Sequence, residues 1–162
     1  MIRCKFLGAV SSVMPALLLA GCISVSETHE TASAARRAIS TDRAPAALAS
    51  YSQAILVGDS LYLAGQVGLD PATGQLVSGG LQAEARRALE NCKAILEAAG
   101  FKLADVVQVQ VFLADVSDYA AFNEVYAGYF PPPAPARAAV AVAALPRGAR
   151  VEVLMTAVRR RP

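Results

Sequence analysis

The residue in this sequence with the clearest claim to chemistry is Arg137. It follows the proline-rich PPPAPA and opens the run AAVAVAAL, whose residue types suit a buried strand. A guanidinium entering such a place needs an anionic partner. No carboxylate occurs between Glu124 and Glu152. Arg137 therefore finds a partner from elsewhere in the fold, turns to water, or meets a ligand. Glu152 stands in VEVLM with Leu154 two residues on, which puts both on one face of a strand, about 6.5 Å apart. His29, the only histidine, lies in the Ser/Thr/Glu-rich stretch ISVSETHETASAA, and no Cys/His cluster surrounds it. This argues against histidine-based and transition-metal chemistry, so no metal or cofactor is expected.

The N-terminus carries an address. Arg3 and Lys5 precede an apolar stretch from Phe6 to Leu19 that ends in LAGC, small residues leading directly to Cys22. The pattern predicts a lipoprotein signal peptide over residues 1–21 and acylation at Cys22, with the acyl chains as membrane anchor. Ile23 follows in place of the aspartate that holds many lipoproteins in the inner membrane, so the expected destination is the periplasmic face of an outer membrane. Residues 22–35 read as a tether without a periodic apolar face. Without residues 1–21 the chain has thirteen basic and thirteen acidic side chains, hence no formal net charge. The basic isoelectric point belongs to the signal peptide, and nucleic acid is not an expected partner. The terminal VRRRP reads as a solvated tail. Once Cys4 is removed and Cys22 acylated, Cys92 is left alone on a helical apolar stripe, as a buried inert thiol.

The domain expected to hold Arg137 spans residues 36–162 and alternates strand-like and helix-like patterns. YSQAILVGDSLYLAGQV contains two β-rich runs around Gly58-Asp59, a hairpin signal, with room for a third strand after them. Leu81, Ala85, Ala88, Leu89, Cys92, Ile95, Leu96 and Ala99 follow helical spacing, and Gly100 closes the helix. Val107, Val109, Val111 and Leu113 alternate with Gln108, Gln110 and Phe112 as a strand. A shorter helix carries Tyr119, Phe122, Val125, Tyr126 and Tyr129, and strands near 138–144 and 150–157 finish the domain. This order predicts an α+β sandwich, a mixed sheet with two helices on one face. Ala138, Val140 and Val142 are expected under the helices, with Arg137, Ala139 and Ala141 on the other face. A second face so rich in alanine, with Leu154 beside it, predicts self-association and puts Arg137 at a subunit junction.

Four stretches together, APAALASYSQAILVGDSLYLAGQVGLDPATGQL, ALENCKAILEAAG, VQVFLADVSDYAAFNEVYAGYF and PARAAVAVAALPRGARVEV, resemble the reactive-intermediate deaminase (Rid, or YjgF) family over about residues 37–160. The resemblance implies a chorismate-mutase-like subunit, a homotrimeric barrel and three intersubunit clefts. It implies cofactor-free hydrolysis of 2-imino acids, such as 2-iminobutanoate and 2-iminopropanoate, to 2-keto acids and ammonia. Arg137 in PAR would be the bidentate clamp for the carboxylate of a small substrate. The backbone N–H of Ala139 would assist it, the Gly65 carbonyl would face the imine nitrogen, and Tyr51, Phe122 and Asn123 would line the pocket. Family deaminases read Glu-x-Glu in the last strand, and here the second of the pair, expected to orient the attacking water, is Leu154. Glu152 is then a surrogate acid or base. The substitution leaves a second function open, that of a non-catalytic, carboxylate-binding or chaperone-like trimer on the membrane.

Overall fold

The computed structural model of the chain describes residues 35–159. The expected signal peptide, Cys22 and all of the expected tether but Ala35 lie outside them. Alternation along the chain explains the sheet. In the strand Val151–Val158 (β7), Val151, Val153, Met155 and Ala157 are buried, whereas Glu152, Leu154 and Thr156 are half-buried on the opposite face. β7 is the centre of the sheet. On one side it pairs with Ser60–Leu63 (β3), which continues through Ala54–Val57 (β2) to Arg36–Ile39 (β1). On the other side it pairs with Val106–Leu113 (β5), and Ala136–Ala141 (β6) forms the far edge. The short strand Gln66–Val67 (β4) also lies against β7. All these pairings are antiparallel except β5 with β6. Parallel neighbours need a crossover, and helix Tyr119–Ala127 (α2) lies in it.

The long helix Gly80–Ala98 (α1) buries the expected stripe: Ala85, Ala88, Leu89, Cys92, Ile95 and Leu96 are fully inaccessible. Gly100 follows it at φ 77, a conformation that favours glycine after a helix. Leu61, Leu89, Ile95, Phe122 and Met155 meet in one core between sheet and helices. Each such side chain contributes about 1.5–3 kcal/mol by burial. Cys92 donates weakly to the Val153 carbonyl, and burial pushes its thiol far above the ordinary range, which makes it unreactive.

Three readings of the sequence are corrected. The sheet begins earlier than the 54–63 hairpin, because Arg36–Ile39 pairs with β2 in register Arg36 with Val57 through Ile39 with Ala54. Val107 is 47% exposed, since a register shift between Val106 and Gln108 gives its place in the core to Val106. The faces of β6 are reversed. The parallel register sets Arg137 beside Val109 and Ala139 beside Val111, and these valines belong to the helix-covered core. Arg137 and Ala139 thus lie on the helix side, whereas Val140 is 49% exposed on the other.

Candidate active site

Arg137 reaches α2 from edge strand β6. Its guanidinium carbon lies 4.5 Å from the centroid of the Tyr126 ring, 5.7 Å from that of Tyr119 and 6.0 Å from that of Phe122. Its Nη2 donates to the Tyr119 hydroxyl at 3.2 Å. Aromatic faces attract a guanidinium by about 0.5–2 kcal/mol each, which holds the group in place without neutralising it. None of the ion pairs among the described residues involves Arg137. Its planar fork is left with the capacity to meet a carboxylate. Asn123 lies one turn after Tyr119 on α2. Its side-chain amide, then the charge of Arg137, holds the Tyr119 phenol below its usual range. Two buried polar atoms here, Asn123 Oδ1 and the Tyr126 hydroxyl, have no hydrogen-bond partner among the described residues. Each such orphan costs about 1–3 kcal/mol, so a polar ligand has something to satisfy. Burial pushes the Tyr126 phenol up, against the pull of Arg137.

Phe122 is fully buried and serves as floor beneath the guanidinium, not as an open pocket wall. Ala139 is half-buried, on an edge strand whose outward backbone groups have no neighbouring strand in the sheet.

A second group of expected residues gathers elsewhere. Tyr51, Gly65 and Glu152 line a cavity of about 440 Å³, walled by Leu48, Val67, Leu69 and Pro146 and edged by Arg147. Glu152 reaches it because β7 pairs Glu152 with Val67 of β4. Gly65 immediately precedes β4, and a Cβ there would overlap Glu152 Oε1 and lie 2.7 Å from its Cδ. Only glycine leaves that space. Burial raises the Glu152 pKa above the ordinary carboxylate value. Buried Gln66 donates from Nε2 to the Gly65 carbonyl at 3.0 Å and so fixes its direction. Tyr51 is 50% exposed, and its hydroxyl accepts from the backbone of Leu48 at 3.4 Å. The loop that carries both is pinned by buried Gln53, whose Nε2 donates to the Thr41, Ala44 and Pro45 carbonyls and whose Oε1 accepts from Thr41 N.

The expectation for Leu154 is corrected here. Leu154 pairs with Gln110 of β5 and is not part of the cavity wall. The carboxyl that neighbours Gly65 is Glu152, because the β4–β7 register meets the chain at residues 152 and 153. Arg137 and Glu152 leave the sheet from opposite faces: Val109 aligns Arg137 with Met155 of the core, and Phe112 aligns exposed Val140 with Glu152. One protomer therefore brings Arg137 to Phe122 and Asn123, and Tyr51 to Gly65 and Glu152, but does not bring the two groups together. Among the described residues no cluster of His, Cys, Asp or Glu could hold a metal ion. Three participants escape the sequence reading: the Tyr119 hydroxyl, Gln66 and Arg147. For Tyr119 the i, i+4 spacing to Asn123 was the available signal.

The family described as Endoribonuclease L-PSP matches residues 41–159. The chain belongs to this family, that of the Rid proteins. Among curated L-PSP relatives, the goat protein named 2-iminobutanoate/2-iminopropanoate deaminase is 54% identical over 123 residues, 76% of this chain and 90% of the goat protein. The human protein of the same name is 51% identical over the same shares of both chains. Among solved L-PSP structures, RidA from Psychrobacter sp. PAMC 21119 superposes with a TM-score of 0.74 at 50% identity, covering 76% of this chain and 99% of that one. Escherichia coli TdcF, solved with bound serine, gives 0.73 at 38% identity over the same shares. The family fold is thus the mixed α+β subunit described above.

Proposed function

We propose that this chain hydrolyses small 2-imino acids, of the 2-iminobutanoate and 2-iminopropanoate kind, to 2-keto acids and ammonia, in a site completed between copies of the chain. The observation that carries the reading is the pair of complementary half-sites, a guanidinium with no ion-pair partner among the described residues on one face of the sheet and a half-buried carboxyl beside Gly65 on the other. Two relatives of about half-identical sequence bear the name of this activity. In a homotrimer, Arg137 of one copy grips the substrate carboxylate through two parallel hydrogen bonds. The Gly65 carbonyl of a neighbour accepts from the imine N–H, with Gln66 holding its direction. Glu152 takes a proton from water as the oxygen adds to the imine carbon, and passes it to nitrogen to give the carbinolamine. It then takes the hydroxyl proton and delivers it to nitrogen as the carbon–nitrogen bond breaks, so that ammonia leaves and a carbonyl replaces the imine. A raised carboxyl pKa suits a group that both takes and gives a proton. The imine carbon is already electrophilic, so this route draws on no cofactor.

The direct test is ammonia and keto-acid release from freshly generated 2-iminopropanoate. Rates above the uncatalysed hydrolysis support the reading. Tight pyruvate binding without turnover would give the site to a carboxylate-binding trimer instead.

We also infer that the domain is carried at a membrane surface by acyl chains on Cys22. LAGC at the end of an apolar stretch supports this reading. Cys22→Ser should remove the acyl mass and release the protein from the outer-membrane fraction, and unchanged acylation would refute the anchor.

A further inference from the structure

The cavity that holds Glu152 also holds a cation. Arg147 is exposed at its edge, beside walls made by Leu48, Leu69 and Pro146. It is the only non-glycine among the described residues with a positive φ, at φ 62 and ψ 13. That conformation costs a non-glycine residue about 1–2 kcal/mol, and residues held so cluster at ligand clamps. The surroundings enforce it. Arg147 Nη2 donates to the Gly74 carbonyl at 3.0 Å, and the backbone N–H of Arg150 donates to Glu84 of α1 at 2.8 Å. The Arg150 guanidinium makes two hydrogen bonds to Asp118, at 2.7 and 3.1 Å. The turn Pro146–Gly148 is thereby tied to α1 and to the start of α2. Arg147 itself enters none of the ion pairs among the described residues.

A methyl or ethyl substituent needs no guanidinium at the edge of its cavity. Apolar walls that end in a fixed cation suit a short methylene chain that ends in an anion. We propose that Arg147 is a specificity residue, selecting 2-imino acids whose side chain carries a second carboxylate, such as 2-iminosuccinate and 2-iminoglutarate. The inference rests on the 2-imino acid reading of this site. The reaction is unchanged: water adds to the imine carbon, the carbon–nitrogen bond breaks, ammonia leaves, and the product is the dicarboxylic 2-keto acid. Ionised Glu152 repels a second anion in the same cavity, and Arg147 offsets that repulsion.

Two measurements on the full chain test this. Calorimetry compares binding of 2-oxoglutarate and 2-oxobutanoate, the two products. Competition with semicarbazide compares kcat/KM on 2-iminoglutarate and 2-iminobutanoate, generated in place by an amino-acid oxidase. Arg147→Gly suits φ 62 without strain and keeps the turn folded, as a melting curve verifies. It should lower the dicarboxylate-to-monocarboxylate ratio about tenfold or more in both measurements, and Arg147→Lys should lower it less. A parallel loss for both ligands, or an unmoved ratio, would make Arg147 a tether for the 70–74 turn and overturn the inference. If the wild type turns over neither imine, the deaminase reading fails, and the calorimetric ratio still decides the role of Arg147.

Discussion

The Arg137 cluster and the Glu152 cavity treat charge in opposite ways. Around Arg137, on an edge strand, the chain keeps a full positive charge without a counter-ion among the described residues, held by the faces of Tyr119, Phe122 and Tyr126. Around Glu152, on the central strand, burial disfavours the negative charge. In the proposed function one region receives an anion and the other exchanges a proton. Their placement on opposite sheet faces means that neither can do the other's work within one copy. Binding and proton transfer should thus be separable by mutation, in a way that a site folded from contiguous residues would not permit.

Glu152→Gln should separate them furthest. In the proposed mechanism kcat falls by about 10²- to 10⁴-fold while pyruvate affinity changes little. An equal loss of both would put Glu152 in binding and break the contrast. The pH dependence follows from the sign of its shift. As a base Glu152 works ionised, so the rate should climb with pH through a limb above the ordinary glutamate range. The folded state holds the proton more tightly than the unfolded state, so this group's contribution to stability is full below the unfolded pKa and lost as pH rises through the folded one. Glu152→Gln should accordingly melt slightly higher than wild type at neutral pH, by less than about 1 kcal/mol after solvent screening, and lose that advantage in acid.

Arg137→Lys keeps the charge and loses the fork. Pyruvate affinity should fall about tenfold or more with the fold intact. The same contrast predicts complementation: Arg137→Ala and Glu152→Gln chains, each inactive, should regain activity when assembled together. Its absence in verified mixed oligomers would sink the shared site.

Gly65→Ala pushes the Glu152 carboxyl aside. Turnover should drop about tenfold, with little change in melting because the displaced atoms end a side chain. Tyr119→Phe is the mildest variant. Removing the hydroxyl that accepts from Arg137 should weaken carboxylate binding about threefold, read by calorimetry, and leave kcat nearly unchanged.

Much of this architecture was legible because its signals are periodic. The α1 stripe and the alternation in β7 need only burial to explain them, and the hairpin at Gly58-Asp59 closes with Val57 opposite Ser60. β1 was not legible, since RRAI has no alternation and its place comes from pairing with β2. The faces of β6 were read backwards because alanine and valine alternate there without a difference in polarity. Only the register against Val109 and Val111 decides. Arg137 stood out as a charge in an apolar run. The resemblance put the water-orienting position at Leu154 and made Glu152 a surrogate, because strand spacing does not say which of them meets the chain at Gly65. That answer lies in the pairing of Val67 with Glu152, residues distant in sequence. The Tyr119 hydroxyl was hidden in a helix face that reads as apolar.

The order of strands also has a consequence for how the protein is made. β7 lies between β3 and β5, and among the described strands it alone joins the β1–β2–β3 meander to the β5–β6 pair. It is also the last of the described strands in chain order. Until residues 151–158 have emerged, the two halves of the sheet have no strand in common, and the hydrophobic faces made early in translation have only α1 and α2 to cover them. Closure of the sheet thus waits for the emergence of β7. A stop codon even a few residues into β7 leaves two unjoined pieces of sheet instead of a slightly shortened domain.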